Sequence, residues 1–255
     1  MDMFEHISYA PTLTLLTKTN QSKSYSSNIL GVYNKDDNLY YTKKEIELIC
    51  KFFNKDKVKI KDNPKSNVFL YEAGNSKLIH VAAHSSYKYG DFWDAGILIN
   101  DIENDCLTVA QIIADGNFKD TKLINLAACS TGLSSGVLDE FRNYSGVDIS
   151  FLIKGAKSTI SNFWKVNDFI SFLYSACFYW GLSKGETIEY ANKNAILYLR
   201  FNKFLDNDLN FELSTMLDTI YPDWCKELTN NKIKVNDITN WGCFKCSGIV
   251  WDKIL

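Results

Sequence analysis

An α/β fold with a mainly parallel central sheet is what this sequence predicts, and three observations predict it. Short apolar runs at residues 29–33, 78–83, 123–128 and 157–163 alternate with stretches of helical spacing. The runs at 78–83 and 123–128 are nearly continuous rather than alternating, as in strands covered on both faces. Of the 255 residues, 46% are hydrophobic and three are proline, so the chain can bury a full core and has no Pro-rich hinge.

The elements follow in order. Residues 17–27 are polar and read as a loop, 29–33 as a strand, and Asn34-Lys35-Asp36-Asp37-Asn38 as a turn. Residues 43–53 place Ile46, Ile49, Cys50 and Phe53 on one helical face, and 58–60 form a second short strand. After the strand at 78–83, two apolar pieces flank an Asn-Asp-Ile-Glu-Asn-Asp turn within 96–107, which reads as a small inserted antiparallel hairpin. Thr108 is a candidate N-cap for a helix over 108–114. The strand at 123–128 precedes a short helix over 148–153 that ends at Gly155, and then the strand candidate at 157–163. Longer helices over 168–180 and 186–199 are punctuated by Gly181 and Gly185. In the first of them Ile170, Leu173, Tyr174 and Cys177 face the sheet, so its aromatic residues read as core. A further helix covers 206–217, and 241–251 returns to an extended pattern.

Composition excludes several functions. The net charge is -2, from 28 basic and 30 acidic residues, and Arg142 and Arg200 are the sole arginines. A nucleic-acid surface would need a basic, arginine-bearing patch, so none is expected. Seven scattered cysteines in a large apolar chain do not form a disulfide framework. The N-terminus lacks a basic-then-apolar leader, and no run reaches about 18 uninterrupted apolar residues. The expectation is a soluble, cytoplasmic protein with no membrane contact. Cys243-x-x-Cys246 lies in a terminal extended segment with no second ligand pair, so no metal and no cofactor is expected.

The chemistry concentrates where the two clearest strands end. Leu78-Ile79-His80-Val81-Ala82-Ala83 leads into His84, and Leu123-Ile124-Asn125-Leu126-Ala127-Ala128 leads into Cys129-Ser130-Thr131-Gly132. Ligand sites in open parallel sheets lie beyond the carboxyl ends of the strands, so neighbouring strands would deliver His84 and Cys129 side by side. A thiol becomes a strong nucleophile on losing its proton, and an imidazole can take that proton and later protonate a leaving amine. Residues Ser130 to Gly132 can turn tightly and aim backbone N–H groups at a developing oxyanion. On residue type alone a buried, inert Cys and a structural His stay open as alternatives. His80 precedes His84 by an even number of residues, which puts both on one strand face, and reads as a buried, hydrogen-bonded partner.

These residues resemble the CHAT domain, a branch of the caspase and separase superfamily of cysteine peptidases. The His-to-Cys gap is 45 residues, against about 50 in caspases. Further matches run in order along the chain. Tyr9-Ala10-Pro11-Thr12 resembles the family's opening segment. Gly155-Ala156 with Trp164-Lys165-Val166-Asn167-Asp168 resembles its "Gly-Ala … Trp-x-Val-x-Asp" strand. Residues 189–195 fall on its Ala-rich helix, and Trp241-Gly242-Cys243-Phe244 with Gly248 resembles its closing strand.

The resemblance implies one caspase-like domain over residues 1–255: a three-layer sandwich, the sheet carrying helices on both faces. It implies an endopeptidase acting through a thioester, with Cys129 as nucleophile, His84 as acid/base, and the backbone N–H groups of Cys129 and Ser85 as oxyanion donors. The family usually has Gly after the catalytic His, where this chain has Ser85; a catalytically inactive binding or scaffold module is therefore the alternative reading. A cysteine hydrolase acting on a small acyl ester or amide shares the same dyad. Asp168, with Trp164 beside it, is either a wall of the pocket for the residue before the scissile bond, favouring Lys or Arg, or the cap of the helix that follows. Lys165 stands close enough in sequence to neutralise it. The expected partners are a protein or peptide substrate and an activating protein. The family suggests bacterial defence, with cleavage of a gasdermin-like or other effector protein.

Overall fold

The computed structural model describes residues 9, 28–35, 39–86, 93–101, 105–128, 146–205, 210–230 and 233–254. In chain order the strands are β1 (Ile29–Tyr33), β2 (Val58–Asp62), β3 (Leu78–Ala82), β4 (His84–Ser86), β5 (Gly96–Leu98), β6 (Leu107–Thr108), β7 (Leu123–Ala127), β8 (Ser158–Asn162) and β9 (Phe244–Gly248). Six of them form the main sheet in the order β2-β1-β3-β7-β8-β9, all parallel except β9, which runs antiparallel to β8. The remaining three, β4, β5 and β6, form a small antiparallel sheet. The fold is the mixed α/β sandwich that the sequence predicts.

The helices are α1 (Thr42–Phe52), α2 (Ser66–Ala73), α3 (Val109–Asp115), α4 (Val147–Ile153), α5 (Asp168–Ser183), α6 (Ile188–Arg200), α7 (Phe211–Ile220), α8 (Trp224–Asn230) and α9 (Ile238–Trp241). They cover both faces of the sheet. Leu78 and Leu123 turn toward a core built with Ile46 and Ile49 of α1 and the apolar residues of α5. Ile79, Val81, Ile124 and Leu126 turn the other way, onto Phe69 of α2, Ile112 of α3 and Phe151 of α4. Burial on both faces is why the two strands read as continuous apolar runs.

Helix α5 is buried on nearly every side, from Phe169 to Leu182, which is how a helix apolar all round is accommodated. Gly181 does not end it, contrary to the expectation. It lies inside the helix, where a Cβ would meet Glu186 Oε2 at 2.5 Å and the Ala191 Cβ of α6 at 3.2 Å, so its role is close helix approach. Gly185, at φ +78°, is the true stop. Thr108 caps α3 through a capping box with Gln111, as its position suggests.

Other boundaries need correcting. Helix α7 starts at Phe211 because Asn210 accepts from the N–H groups of Glu212 and Leu213. Trp241 closes the short helix α9, capped by Asp237, and the extended strand starts at Phe244. The expected loop at 17–27 and residues 36–38 of the expected turn lie outside the described residues.

Candidate active site

Strands β3 and β7 are parallel neighbours at the centre of the sheet, in the register Leu78↔Leu123, His80↔Asn125 and Ala82↔Ala127. Ala83 N–H still reaches Ala127 O at 3.4 Å just past the strand ends, and Ala83 and Ala128 are both buried. His84 follows Ala82 by two residues, and Cys129 follows its register partner Ala127 by two. Cys129 lies outside the described residues; Ala128, which carries it, is the last residue described on that side.

His84 is half-buried and opens β4, where it pairs with Leu98; Ser85 pairs with Ile97 and Ser86 with Gly96. The hairpin expected at 96–107 is present as β5 and β6, and the segment that carries His84 is its third strand. Gly96 permits this crowding: a Cβ there would stand 2.5 Å from Leu107 O and 2.7 Å from Cys106 Sγ. Ser85 occupies ordinary extended backbone in this strand, a conformation open to any residue.

Asn34 and Asn162, which the sequence reading passed over, brace this rim. Asn34 N–H donates to Ala82 O at 3.0 Å, and its Nδ2 donates to Leu98 O, opposite His84, at 2.9 Å. Asn162, at the end of β8, donates from Nδ2 to Ala128 O at 3.3 Å. Both are buried. Asparagine is common in turns, and no periodic signal separates these two from ordinary loop polarity.

A polar network crosses the strand pair below the rim. His80 Nδ1 lies 2.8 Å from Tyr179 Oη, which also accepts from Asn125 Nδ2 at 2.9 Å. His80 Nε2 is 3.2 Å from Glu45 Oε2, a close contact that is not aligned as a hydrogen bond. The same Glu45 oxygen accepts from Ser175 Oγ at 2.6 Å. Glu45, His80, Asn125, Ser175 and Tyr179 are all at most 2% exposed. Burial pushes the Tyr179 hydroxyl far above its ordinary range. His80 is thus the buried, bonded histidine that its spacing suggests. It lies four residues before the rim, roughly 13 Å at about 3.3 Å per residue, too far to exchange protons directly with a group there.

Asp168 opens α5 but does not cap it; Asn167 does, accepting from Phe169 N–H at 2.9 Å. Asp168 Oδ2 instead accepts from the N–H of Tyr41, the residue that precedes α1, at 2.8 Å, and so ties the starts of two helices together. Burial pushes its carboxyl up to about 7, Tyr41 N–H acts against this, and the nearby Glu45 adds to it. Lys165 is exposed and has no part in that balance. Trp164, two residues past β8, is 38% exposed, stacks on Phe163 and donates from Nε1 to Thr239 O at 2.7 Å.

A buried ion pair secures the neighbouring strands. Asp148 Oδ2, fully buried in α4, accepts from Lys245 Nζ of β9 and from Ser161 Oγ of β8, each at 2.9 Å. Cys243 and Cys246 are buried free thiols, and burial pushes that of Cys246 well above its ordinary range. No cluster of three or more metal-ligating side chains occurs among the described residues, and no helix among them is long and apolar enough to cross a membrane.

The profile of the CHAT domain matches residues 3–248. The chain belongs to the CHAT-domain family. Its fold is also that of known cysteine proteinases. Separase from Saccharomyces cerevisiae, solved in complex with securin, superposes with a TM-score of 0.54 at 16% identity, over 75% of this chain and 12% of separase. The Arg-specific cysteine proteinase gingipain R superposes with a TM-score of 0.56 at 8% identity, over 92% of this chain and 51% of gingipain R. The complex of the Porphyromonas gingivalis RgpB pro- and mature domains gives 0.57 at 10% identity, over 95% and 52%. This CHAT chain therefore spans about half the length of the gingipain chains and a small part of separase. No curated protein matches it in sequence.

Proposed function

We propose that this CHAT protein is a cysteine endopeptidase in which Cys129 is the nucleophile and His84 the acid/base. The observation that carries the reading is the in-register pairing of β3 with β7, from which His84 and Cys129 each follow by two residues. In the reaction, His84 takes the Cys129 thiol proton, and the thiolate attacks the scissile carbonyl. The resulting oxyanion accepts from the N–H groups of Ser85 and Cys129. His84 then protonates the leaving amine as the C–N bond breaks, which leaves a thioester. Water attacks the thioester, gives its proton to His84, and releases the acid and the free thiol. A trans peptide sets N–H opposite C=O, so the hold of Asn162 on the Ala128 carbonyl orients the amide assigned to the oxyanion. The ordinary strand backbone of Ser85 removes the conformational ground for the inactive-scaffold alternative, since it requires no positive φ.

On the substrate side, Trp164 is exposed just past β8 and suits a pocket wall. Asp168 is assigned to the same pocket, where its carboxylate favours Lys or Arg before the scissile bond. The biological role consistent with the family is regulated cleavage of an effector protein, such as a gasdermin-like one, in bacterial defence, with an activating partner. A positional-scanning peptide library tests the reaction and the pocket together. Cleavage by the wild type and none by Cys129→Ala is expected, with the preference for Lys or Arg weakened in Asp168→Asn. Equal cleavage by wild type and Cys129→Ala contradicts the proposal.

A further inference from the structure

Asn34 is the most unusual polar side chain near the rim. It is 4% exposed. Its amide orientation is fixed chemically: the atom 2.9 Å from Leu98 O must be the N–H donor, because a carbonyl only accepts. Oδ1 is therefore assigned, and it is buried without a hydrogen-bond partner among the described residues. Most buried polar atoms in folded proteins are paired, and an orphan calls for an explanation, a catalytic role among the possible ones. The location supplies one. Leu98, whose carbonyl holds the amide, is the cross-strand partner of His84, and such partners have Cα atoms roughly 5 Å apart. Asn34 N–H meanwhile holds Ala82 O, two residues before His84. Asn34 thus holds the backbone two residues before His84 and the carbonyl of its cross-strand neighbour, and has one acceptor without a partner among the described residues.

We infer that Asn34 is a positioning residue for His84, with Oδ1 the acceptor for the imidazole N–H that does not face the thiol. This rests on the His84–Cys129 reading. An imidazole that serves a thiol through one nitrogen needs its other N–H satisfied to hold tautomer and orientation, and a stabilised imidazolium keeps the thiolate populated at low pH. Hydrogen bonds of this kind are often long or misaligned before substrate binds and tighten in the complex.

The test is the pH dependence of Cys129 alkylation by iodoacetamide, read peptide by peptide by mass spectrometry so that the other cysteines do not interfere. Thermal unfolding of each variant checks folding. In the wild type the midpoint is expected below the ordinary thiol value of about 8.5. His84→Ala, Asn34→Leu and Asn34→Ala should each raise it by about one pH unit, a roughly tenfold slower alkylation at pH 6.5. Asn34→Ala leaves room for water and serves if the leucine variant does not fold. Asn34→Asp keeps an oxygen acceptor and should stay within about threefold of the wild type. Folded Asn34→Ala with an unmoved midpoint, while His84→Ala raises it, overturns the role of Asn34 and leaves the dyad intact. A slow Asn34→Asp overturns the acceptor role. An unmoved midpoint in His84→Ala removes the dyad, and with it the Asn34 assignment.

Discussion

The middle of the β3–β7 pair and the segments just past its carboxyl end differ in how far they shut their polar groups off from water. In the middle, His80, Asn125, Tyr179, Glu45 and Ser175 are joined to one another and shut off from water. At the rim, His84 and Ser85 are half-buried. The buried network ties position 80 to position 125 through Tyr179 and so resists slippage of one strand past the other. Half-buried side chains can still be reached from solvent. Rim substitutions should therefore alter chemistry with little effect on stability, and interior substitutions should do the reverse.

The largest effect tests the rim. His84→Ala should slow peptide hydrolysis by at least roughly 10³-fold while shifting the denaturant midpoint little, since the residue is half-buried. A large loss of stability with activity retained would invert the contrast. Next comes the interior ion pair: Asp148→Ala leaves Lys245 buried and uncompensated, with an expected loss of about 3–5 kcal/mol by urea unfolding.

Asp168 sharpens the comparison because it stands between the two regimes. Its folded carboxyl is raised to about 7, above its ordinary value, so the folded state holds the proton more tightly than the unfolded chain. Stability should then be fullest below the unfolded pKa and fall as pH rises toward 7. Asp168→Asn keeps an acceptor for Tyr41 N–H and should remove that fall. Its gain over the wild type should be greatest at pH 8, at most about 4 kcal/mol and less where water reaches the carboxyl, and should shrink toward pH 4. A gain independent of pH would rule out titration of this group as its source. The smallest effect is that of Tyr179→Phe, which keeps the buried ring but strips His80 and Asn125 of a shared partner. We expect a cost of about 1–3 kcal/mol in chemical denaturation.

Much of this arrangement was legible in the sequence because it is periodic or local. The two-sided burial of β3 and β7 shows as continuous apolar runs, and the cap of α3 shows at Thr108. What escaped has physical reasons. Helix α2 carries Val68, Phe69, Leu70 and Tyr71 in succession, with Phe69 buried and Tyr71 exposed, so no face can be read from the string. Gly181 looks like punctuation until the approach of α6 is known. Helix α9 is a single turn, too short to show a period. Asn34 and Asn162 act through partners 64 and 34 residues away, and no local pattern encodes such contacts. Asp168 looks like a cap because acids often are; its actual partner lies 127 residues away in sequence.

The most direct test is covalent labelling with a thiol-reactive peptidyl acyloxymethyl ketone, mapped by mass spectrometry in the wild type and in His84→Ala. The account predicts an adduct confined to Cys129 in the wild type and lost in the variant. Labelling spread over the other cysteines, or equal at Cys129 in both proteins, would contradict it.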